Sequence, residues 1–510
     1  MSLLSEKRVI LATAFLEGLA CLVIEIAGAR ALAPYFGASL AVWTAQITAT
    51  LLFLAIGYGL GGVLSRSKGD WKLPTVFWAA GIWLAIFPLL RGPLLASSVA
   101  GFGVAFGSFV SSAVLFGLPL VCLGAVSPFL IARLDAAVLG AGSAAGSIFF
   151  VNTLGGLLGG WLTALVLIPM MPLRLAMAAC GILLVLVGTF WSLRLRRSRF
   201  SAVAAPLAAL MFLPLAPSPA RSLGSNAHLL VSLQSHTGLI QIIDVARGGR
   251  MLMNDGIVQG GMDKETGISL LQFTDYQNFM AQRYHPKAQS ALVLGLGTGM
   301  LAKGLDARGI KVTVVELDPN MEGLARDWFG LPSSVRVLNQ DARAWLNKED
   351  SHFDLIFLDA FVGEVSPWYL ATREGIARMK DHLNPGGRVV INSVTRAKTG
   401  SEGLARLEAV LVEVFGEARV SGEHWEPKGQ LVNATLVAGK DLKPTDEAYK
   451  GKTLERNLSK LPLLVAEERA ALPGRFGTDD FSDLDYVESR LRSEWRKQVV
   501  DDLGPDFLAN

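Results

Sequence analysis

The stretch Ala291-Leu-Val-Leu-Gly-Leu-Gly-Thr-Gly-Met300, followed by Val312-Thr-Val-Val-Glu-Leu-Asp318, reads as a strand, a glycine turn, a helix and a second strand ending in an acid. Gly295, Gly297 and Gly299 permit a tight turn and let a ligand come close to the backbone. An acid at the end of the second strand, here Glu316, can accept two hydrogen bonds from ribose hydroxyls. Together these features predict a nucleoside pocket on a parallel sheet.

The pattern continues on both sides of this stretch. Strands are expected at 291–294, 311–316, 335–338, 355–358 and 388–391, alternating with helices, and strands near 418–420 and 432–437 complete the sheet. Such alternation is the signature of an α/β fold with helices on both faces of the sheet. Upstream, short runs at 229–233, 239–245 and 251–253 suggest a small β-hairpin domain, followed by a helix around 270–282. After about residue 440 the chain turns polar and helical and carries no assigned chemistry.

Functional groups on such sheets gather beyond the C-terminal ends of the strands. Asp341 follows the third strand and is placed for an adenine amino group, or equally to cap the helix holding 344–346. Asp359 follows the apolar run Phe353-Asp-Leu-Ile-Phe-Leu358, and a carboxylate there needs a partner or a chemical role. It can attract a cationic sulfonium or ammonium group and accept a proton. Trp368 and Tyr369 either pack in the core or hold an alkylammonium by cation–π contact.

The first half of the chain is different. Six apolar stretches, about 9–32, 42–65, 74–96, 104–132, 142–170 and 173–193, each reach the roughly 20 residues needed to cross a bilayer. A seventh, 200–217, is short and holds Pro206, Pro214 and Pro217. Gly57, Gly59, Gly61 and Gly62 in the second span, and Gly155, Gly156, Gly159 and Gly160 in the fifth, offer close helix contact. The run after Lys7 and Arg8 is too long for a signal core and lacks a clear cleavage site. Glu17, Glu25 and Arg30 in or near the first span read as a polar substrate path or as a structural Glu25–Arg30 pair.

Lys7 and Arg8, then Arg66, Lys68 and Lys72, then Arg194, Arg196, Arg197 and Arg199 fall on one side of six spans if the N-terminus is cytoplasmic. The second half is then cytoplasmic provided 200–217 does not cross, and a cytosolic nucleoside ligand favours that arrangement at an inner (plasma) membrane. The expected domains are 1–220 (helical, membrane-spanning), 225–262 (small β), 263–440 (nucleoside-binding) and 441–510 (helical tail).

A net charge of +3 carries no nucleic-acid footprint. All three cysteines lie in the apolar half, too far apart for a metal knuckle, and all six histidines in the other, so the apolar half is a poor candidate for haem or zinc and no disulfide framework serves the second half. The expected partners are a small nucleoside donor, an amine acceptor and the lipid bilayer, with no metal.

The second half resembles the spermidine synthase (polyamine aminopropyltransferase) family of class I methyltransferase-like folds. Asn254-Asp-Gly-Ile-Val-Gln259 resembles its L-D-G-x-x-Q turn, Asp263-Lys-Glu265 its following acidic pair, and Gly295-Leu-Gly-Thr-Gly299 its glycine loop. Glu316 and Asp318 sit where the family has its ribose-binding acid, and Gln340-Asp341-Ala342 at the adenine-contacting position. Asp354-Leu-Ile-Phe-Leu-Asp359 matches the strand bearing the catalytic Asp. The resemblance implies that Gln259, Asp263, Gly295, Gly297, Thr298, Gly299, Glu316, Asp341 and Ala342 bind the donor and that Asp359 deprotonates the acceptor amine. The apolar half resembles the transmembrane portion of fused transporter-like homologues, through Glu25-Ile-Ala-Gly-Ala-Arg-Ala-Leu-Ala-Pro-Tyr-Phe-Gly37, Gly57-Tyr-Gly-Leu-Gly-Gly62 and Asn152-Thr-Leu-Gly-Gly-Leu-Leu-Gly159.

The family's loop Asp is Thr298 here, and its second D-x-x-D acid falls at Val362, with Glu364 two residues on. The family's strand Gln falls near Gly238. Adenosine-binding features survive better than acceptor-binding ones. The resemblance implies a membrane-bound enzyme using S-adenosylmethionine or its decarboxylated form, releasing methylthioadenosine with aminopropyl-type transfer to an amine. A lyase or cyclising reaction on S-adenosylmethionine, methyl transfer, and a nucleoside-binding transporter or sensor stand as alternatives. A dimer through the second half is implied by the resemblance alone.

Overall fold

A computed structural model describes residues 3–494 apart from 38–39, 67–68, 70, 138–139, 196–226, 236, 246–247, 362–366, 423–428, 454–458, 460, 467, 481, 483, 485–490 and 492–493. The chain divides into two compact units, one carrying the N-terminal helices up to Ala220, the other running Arg221–Trp495.

The first unit holds α1 (Leu3–Phe36), α2 (Leu40–Ser65), α3 (Lys72–Ala137), α4 (Ala141–Leu162), α5 (Ile168–Met170) and α6 (Leu173–Arg194). Gly103, at φ 71°, breaks α3, so that it contributes two spans, Lys72–Val99 and Phe106–Asp135. Six segments are therefore long and apolar enough to cross a membrane, at the places the sequence predicts. The 200–217 stretch lies outside the described residues. A π-helical turn, Thr163–Leu167, joins α4 to α5. Leu51, Val63, Phe150, Trp161 and Met170 are exposed on this unit, a surface suited to lipid.

The glycines explain how these helices meet. A Cβ at Gly18 would lie 2.0 Å from the Asn152 carbonyl oxygen, and one at Gly155 2.0 Å from that of Phe15, so α1 and α4 touch backbone to backbone. Gly57 and Gly61 do the same for α2 against α3. Gly59 and Gly62, expected to share that role, face open space. At the heart of the bundle Glu17 is 1% exposed and accepts from the Ser127 hydroxyl at 2.9 and 3.1 Å.

The second unit begins with β1 (Ala227–Gln234), β2 (Leu239–Val245), β3 (Gly249–Asn254) and β4 (Ile257–Asp263), an antiparallel meander in chain order. The sequence reading missed β4, whose Gly260-Gly261 pair obscures its alternation. The meander is not the separate small domain expected over 225–262. Ile240, Ile242 and Leu252 share one core with Tyr276, Met280 and Val293 of the following α/β segment. So small a sheet, with one apolar face, has to bury that face against another layer.

The larger sheet follows through α7 (Gln272–Tyr284), β5 (Ser290–Leu294), α8 (Met300–Asp306), β6 (Lys311–Glu316), α9 (Met321–Phe329), β7 (Arg336–Asn339), α10 (Ala342–Lys348), β8 (Phe353–Leu358), α11 (Arg373–Asp381), β9 (Leu383–Arg396), α12 (Glu402–Phe415), β10 (Ala418–Ser421), β11 (Leu431–Ala438), α13 (Leu461–Ala466) and β12 (Arg469–Ala470). Strand order is β12-β10-β11-β9-β8-β5-β6-β7. The five strands β9-β8-β5-β6-β7 are parallel, while β11, β10 and β12 pair antiparallel at one edge. Ala291 through Leu294 are buried in unbroken succession because both faces of the sheet are covered. β9 is far longer than the expected 388–391, since its partner β11 extends pairing to Arg396.

Of the helical tail expected over 441–510, the described residues up to 482 carry one short helix, α13, and the edge strand β12, and Leu484, Leu491 and Glu494 are helical. Glu408 holds Arg469 at 2.6 Å and accepts the Leu472 amide at 2.9 Å, which fastens this segment to α12.

Replacing Gly155 by Val should force α1 and α4 apart and destabilise the first unit by about 1–3 kcal/mol, the cost of overpacking. Thermal unfolding of detergent-purified protein, followed by monodispersity, reads this. Gly146→Ala is the control, because a Cβ there meets nothing within 4 Å, and its midpoint should hold or rise slightly.

Candidate functional site

The first parallel strand, β5, lies between β6 and β8, so the chain leaves it toward one neighbour and returns on its other side. At this switch point a crevice opens beyond the strand ends. The turn after β5 and the end of β8 meet there. The Asp359 amide donates to the Leu294 carbonyl at 3.1 Å, and a Cβ at residue 295 would lie 2.5 Å from the Asp359 carbonyl oxygen. Only glycine, at φ 98°, satisfies both the turn and the approach.

A cavity of about 590 Å³ fills the crevice. Its walls include Gly295, Gly297, Thr298, Glu316, Asp341, Ala342, Asp359 and Gln259, so eight of the sequence-predicted site residues are brought together. Two are not. Gly299 does not line the cavity; at φ 74° it starts α8, and a Cβ there would press on Leu331 at 2.9 Å. Asp263 does not line it either. Its carboxylate accepts from the Glu265 and Thr266 amides at 3.1 and 2.8 Å and closes the turn after β4.

Glu316 and Asp318 part company in the structure. Glu316 faces the cavity, with one oxygen accepting from the Leu296 amide and the other from the Asp318 amide, both at 2.8 Å. These bonds fix the carboxylate and leave a second lone pair on each oxygen for a ligand hydroxyl. Burial pushes its carboxyl above the usual range, against the pull of those two amides. Asp318 is buried beneath it, where it accepts from the Thr237 hydroxyl at 2.5 Å and from Asn320, tying β6 to the turn between β1 and β2.

Asp341 caps a helix and also stands in the cavity wall. One oxygen caps α10 by accepting the Ala344 amide at 2.8 Å, and the residue also lines the cavity, where the Tyr369 hydroxyl reaches its other oxygen at 3.4 Å. Tyr369 lines the cavity and Trp368 packs edge-on against it. Burial, with Asp341 adding to it, pushes the Tyr369 phenol up to about 12. Val362 and Glu364 lie outside the described residues.

Burial raises the Asp359 carboxyl above the ordinary range. Two side-chain amides work against that rise: Asn392 Nδ2 donates to Oδ1 at 2.9 Å and Gln277 Nε2 to Oδ2 at 3.2 Å. Asn433 Nδ2 in turn donates to Asn392 Oδ1 at 2.9 Å. Sequence reasoning missed all three amides. Asn392 had a usable signal, since it directly follows the expected strand 388–391 as Asp359 follows its own.

Residues 291–387 match a methyltransferase domain family model. A probable polyamine aminopropyl transferase of Bifidobacterium longum is 37% identical over 107 residues, 21% of this chain and 24% of that protein. A polyamine aminopropyltransferase of Vibrio vulnificus is 30% identical over 139 residues, 26% of this chain and 46% of that protein. The chain thus spans about a quarter and just under half of these relatives. A crystal structure of a probable spermidine synthase from Corynebacterium glutamicum superposes with TM-score 0.39 at 20% identity, covering 49% of this chain and 98% of the other. The C-terminal unit is spermidine synthase-like.

Glu316→Ala should weaken adenosine binding about 10- to 100-fold, the loss expected for hydrogen bonds to a charged acceptor. Asp263→Ala should leave that affinity within about twofold of the parent. Titration calorimetry on the intact protein checks both, and a large loss for Asp263→Ala alone would reverse the assignment.

Proposed function

We propose that the C-terminal unit is a membrane-held alkyl transferase that binds S-adenosylmethionine or its decarboxylated form and transfers an aminopropyl-type group to an amine. One observation carries this reading. Three carboxylates, Glu316, Asp341 and Asp359, face one cavity, and among its described lining residues there is no lysine, arginine or histidine. A cavity with such walls favours a cationic ligand, and a sulfonium nucleoside is cationic where a neutral adenosine or an anionic nucleotide is not.

In this reading Glu316 accepts the ribose hydroxyls, Asp341 and Ala342 meet the adenine, and the turn bearing Gly295, Gly297 and Thr298, with Gln259 opposite, receives the rest of the donor. Asp359 stands across the turn from the ribose acid. The amine lone pair attacks the carbon bonded to sulfur, the carbon–sulfur bond breaks, and its electron pair stays on sulfur as neutral methylthioadenosine. The proton lost from the amine passes to Asp359. The sulfonium is a good leaving group already, so the side chains contribute orientation and charge placement. The raised carboxyl of Asp359 suits a proton acceptor better than an ordinary aspartate would.

The match of 291–387 to a methyltransferase model favours one alternative, transfer of the methyl group instead. Product identity separates the readings. Protein incubated with each donor, with and without putrescine, and analysed by mass spectrometry should give methylthioadenosine when the decarboxylated donor and amine are both present. Adenosylhomocysteine would mean methyl transfer, methylthioadenosine from S-adenosylmethionine alone a lyase or cyclising reaction, and bound donor without product a binding module. Asp359→Asn should lower turnover about 100- to 10,000-fold, the range for loss of a general base, and spare donor binding.

A further inference from the structure

Asp359 rests on two amides that differ in a way its own chemistry makes useful. Asn392 is bonded at both ends of its amide. Its Oδ1 accepts from Asn433 Nδ2 at 2.9 Å and its Nδ2 faces Asp359. Turned over, Asn392 would set an amide nitrogen against that of Asn433 and an oxygen against the Asp359 carboxylate, both repulsive. Gln277 is not held in this way. Its side chain is fully buried, its Nε2 donates to Asp359 Oδ2 at 3.2 Å, and its Oε1 has no partner among the described residues. Turning this amide over sacrifices no bond to Oε1 and brings an acceptor to the same place, opposite Oδ2.

We propose that Gln277 is a reversible amide that meets Asp359 in both of its protonation states, donating to the carboxylate and accepting from the acid, while Asn392, bonded at both ends of its amide, holds the carboxylate in place. Both are positioning residues acting through Asp359, and the inference rests on the reading of Asp359 as the base. A buried base that takes a proton acquires a donor it did not have. An amide fixed as a donor opposes that change, and one that can turn over accommodates it.

The other titratable groups facing the same space are Tyr276 on α7, Glu316 at the end of β6, Asp341 at the start of α10 and Tyr369. They are common to every variant below, so differences between variants report on the amides. The acid limb of the rate profile follows ionisation of Asp359. Asn392→Leu removes a donor that serves the carboxylate alone, so the limb should move up by about one pH unit, the size of one charge-assisted hydrogen bond. Gln277→Met removes a partner of both states, so the limb should move by less than half as much while the maximal rate falls about tenfold or more.

A second readout does not depend on turnover. Infrared difference spectra of the intact protein against Asp359→Asn follow the carboxyl band through pH, and the same ordering of midpoints is expected, Asn392→Leu well above the parent and Gln277→Met close to it. Equal shifts in both variants would overturn the proposal by making Gln277 a second fixed donor, and no shift in either would remove both amides from the account. If the spectra show the expected ordering while no donor and amine mixture gives product, the amide arrangement stands and the transferase reading fails.

Discussion

The crevice of the C-terminal unit depends on a contact between two backbones. The turn after β5 passes so close to the end of β8 that any side chain at position 295 would strike the Asp359 carbonyl. That approach puts the glycine turn and the buried acid in one crevice, and the parallel pairing of β5 with β8 on one side and β6 on the other brings Glu316 into the same space. A side chain at 295 would push β8 from its register or lift the turn away from the ribose acid. Catalytic groups on such a sheet are thus set by how closely main chains can pack, before any side chain chooses a rotamer.

Three carboxylates gather around a cavity with no cation among its described lining residues, and neutral donors meet the cost. Glu316 takes two backbone amides, Asp341 takes the first turn of α10, and Asp359 takes two side-chain amides. Neutral donors fix a carboxylate's position without cancelling its charge, so the field in the cavity stays negative and available to a cationic ligand. An arginine in any of these places would have stabilised the acid and cancelled that field. Burial raises Glu316 and Asp359 while these hydrogen bonds pull the other way, which leaves both acids responsive to what enters.

How much of this was legible in the sequence follows from the range of each interaction. The order of strands and helices, the six apolar spans and the acids at strand ends were readable because periodicity and strand-end position are local properties. Asp341 could be placed in the site and at a helix cap at once, and it serves as both. Asp263 and Gly299 were drawn into the site by motif resemblance, but one closes a turn and the other spaces α8 from Leu331. Nothing local distinguishes those roles from ligand contact. The three amides around Asp359 come from α7, β9 and β11, far apart in the chain, and only the strand order brings them together. The independence of the small β domain was misread for the same reason, since its core partners lie beyond its own residues.

The N-terminal unit, with six segments among the described residues long and apolar enough to cross a membrane, packs by the same physics. Where α1 crosses α4, Gly18, Gly155 and Gly159 remove every Cβ that would hold the backbones apart. Small residues matter more there than in water, because lipid gives apolar side chains no reason to prefer each other over its own tails, and close van der Waals contact has to supply the attraction. Glu17 sits in that tightly packed interior with a hydroxyl, Ser127, on its carboxyl, and among the described residues it makes no ion pair. Asp359 differs in opening onto a cavity, where a cation and a proton can both arrive. The two units therefore bury carboxyls with neutral partners, and what distinguishes Asp359 is access to a cavity.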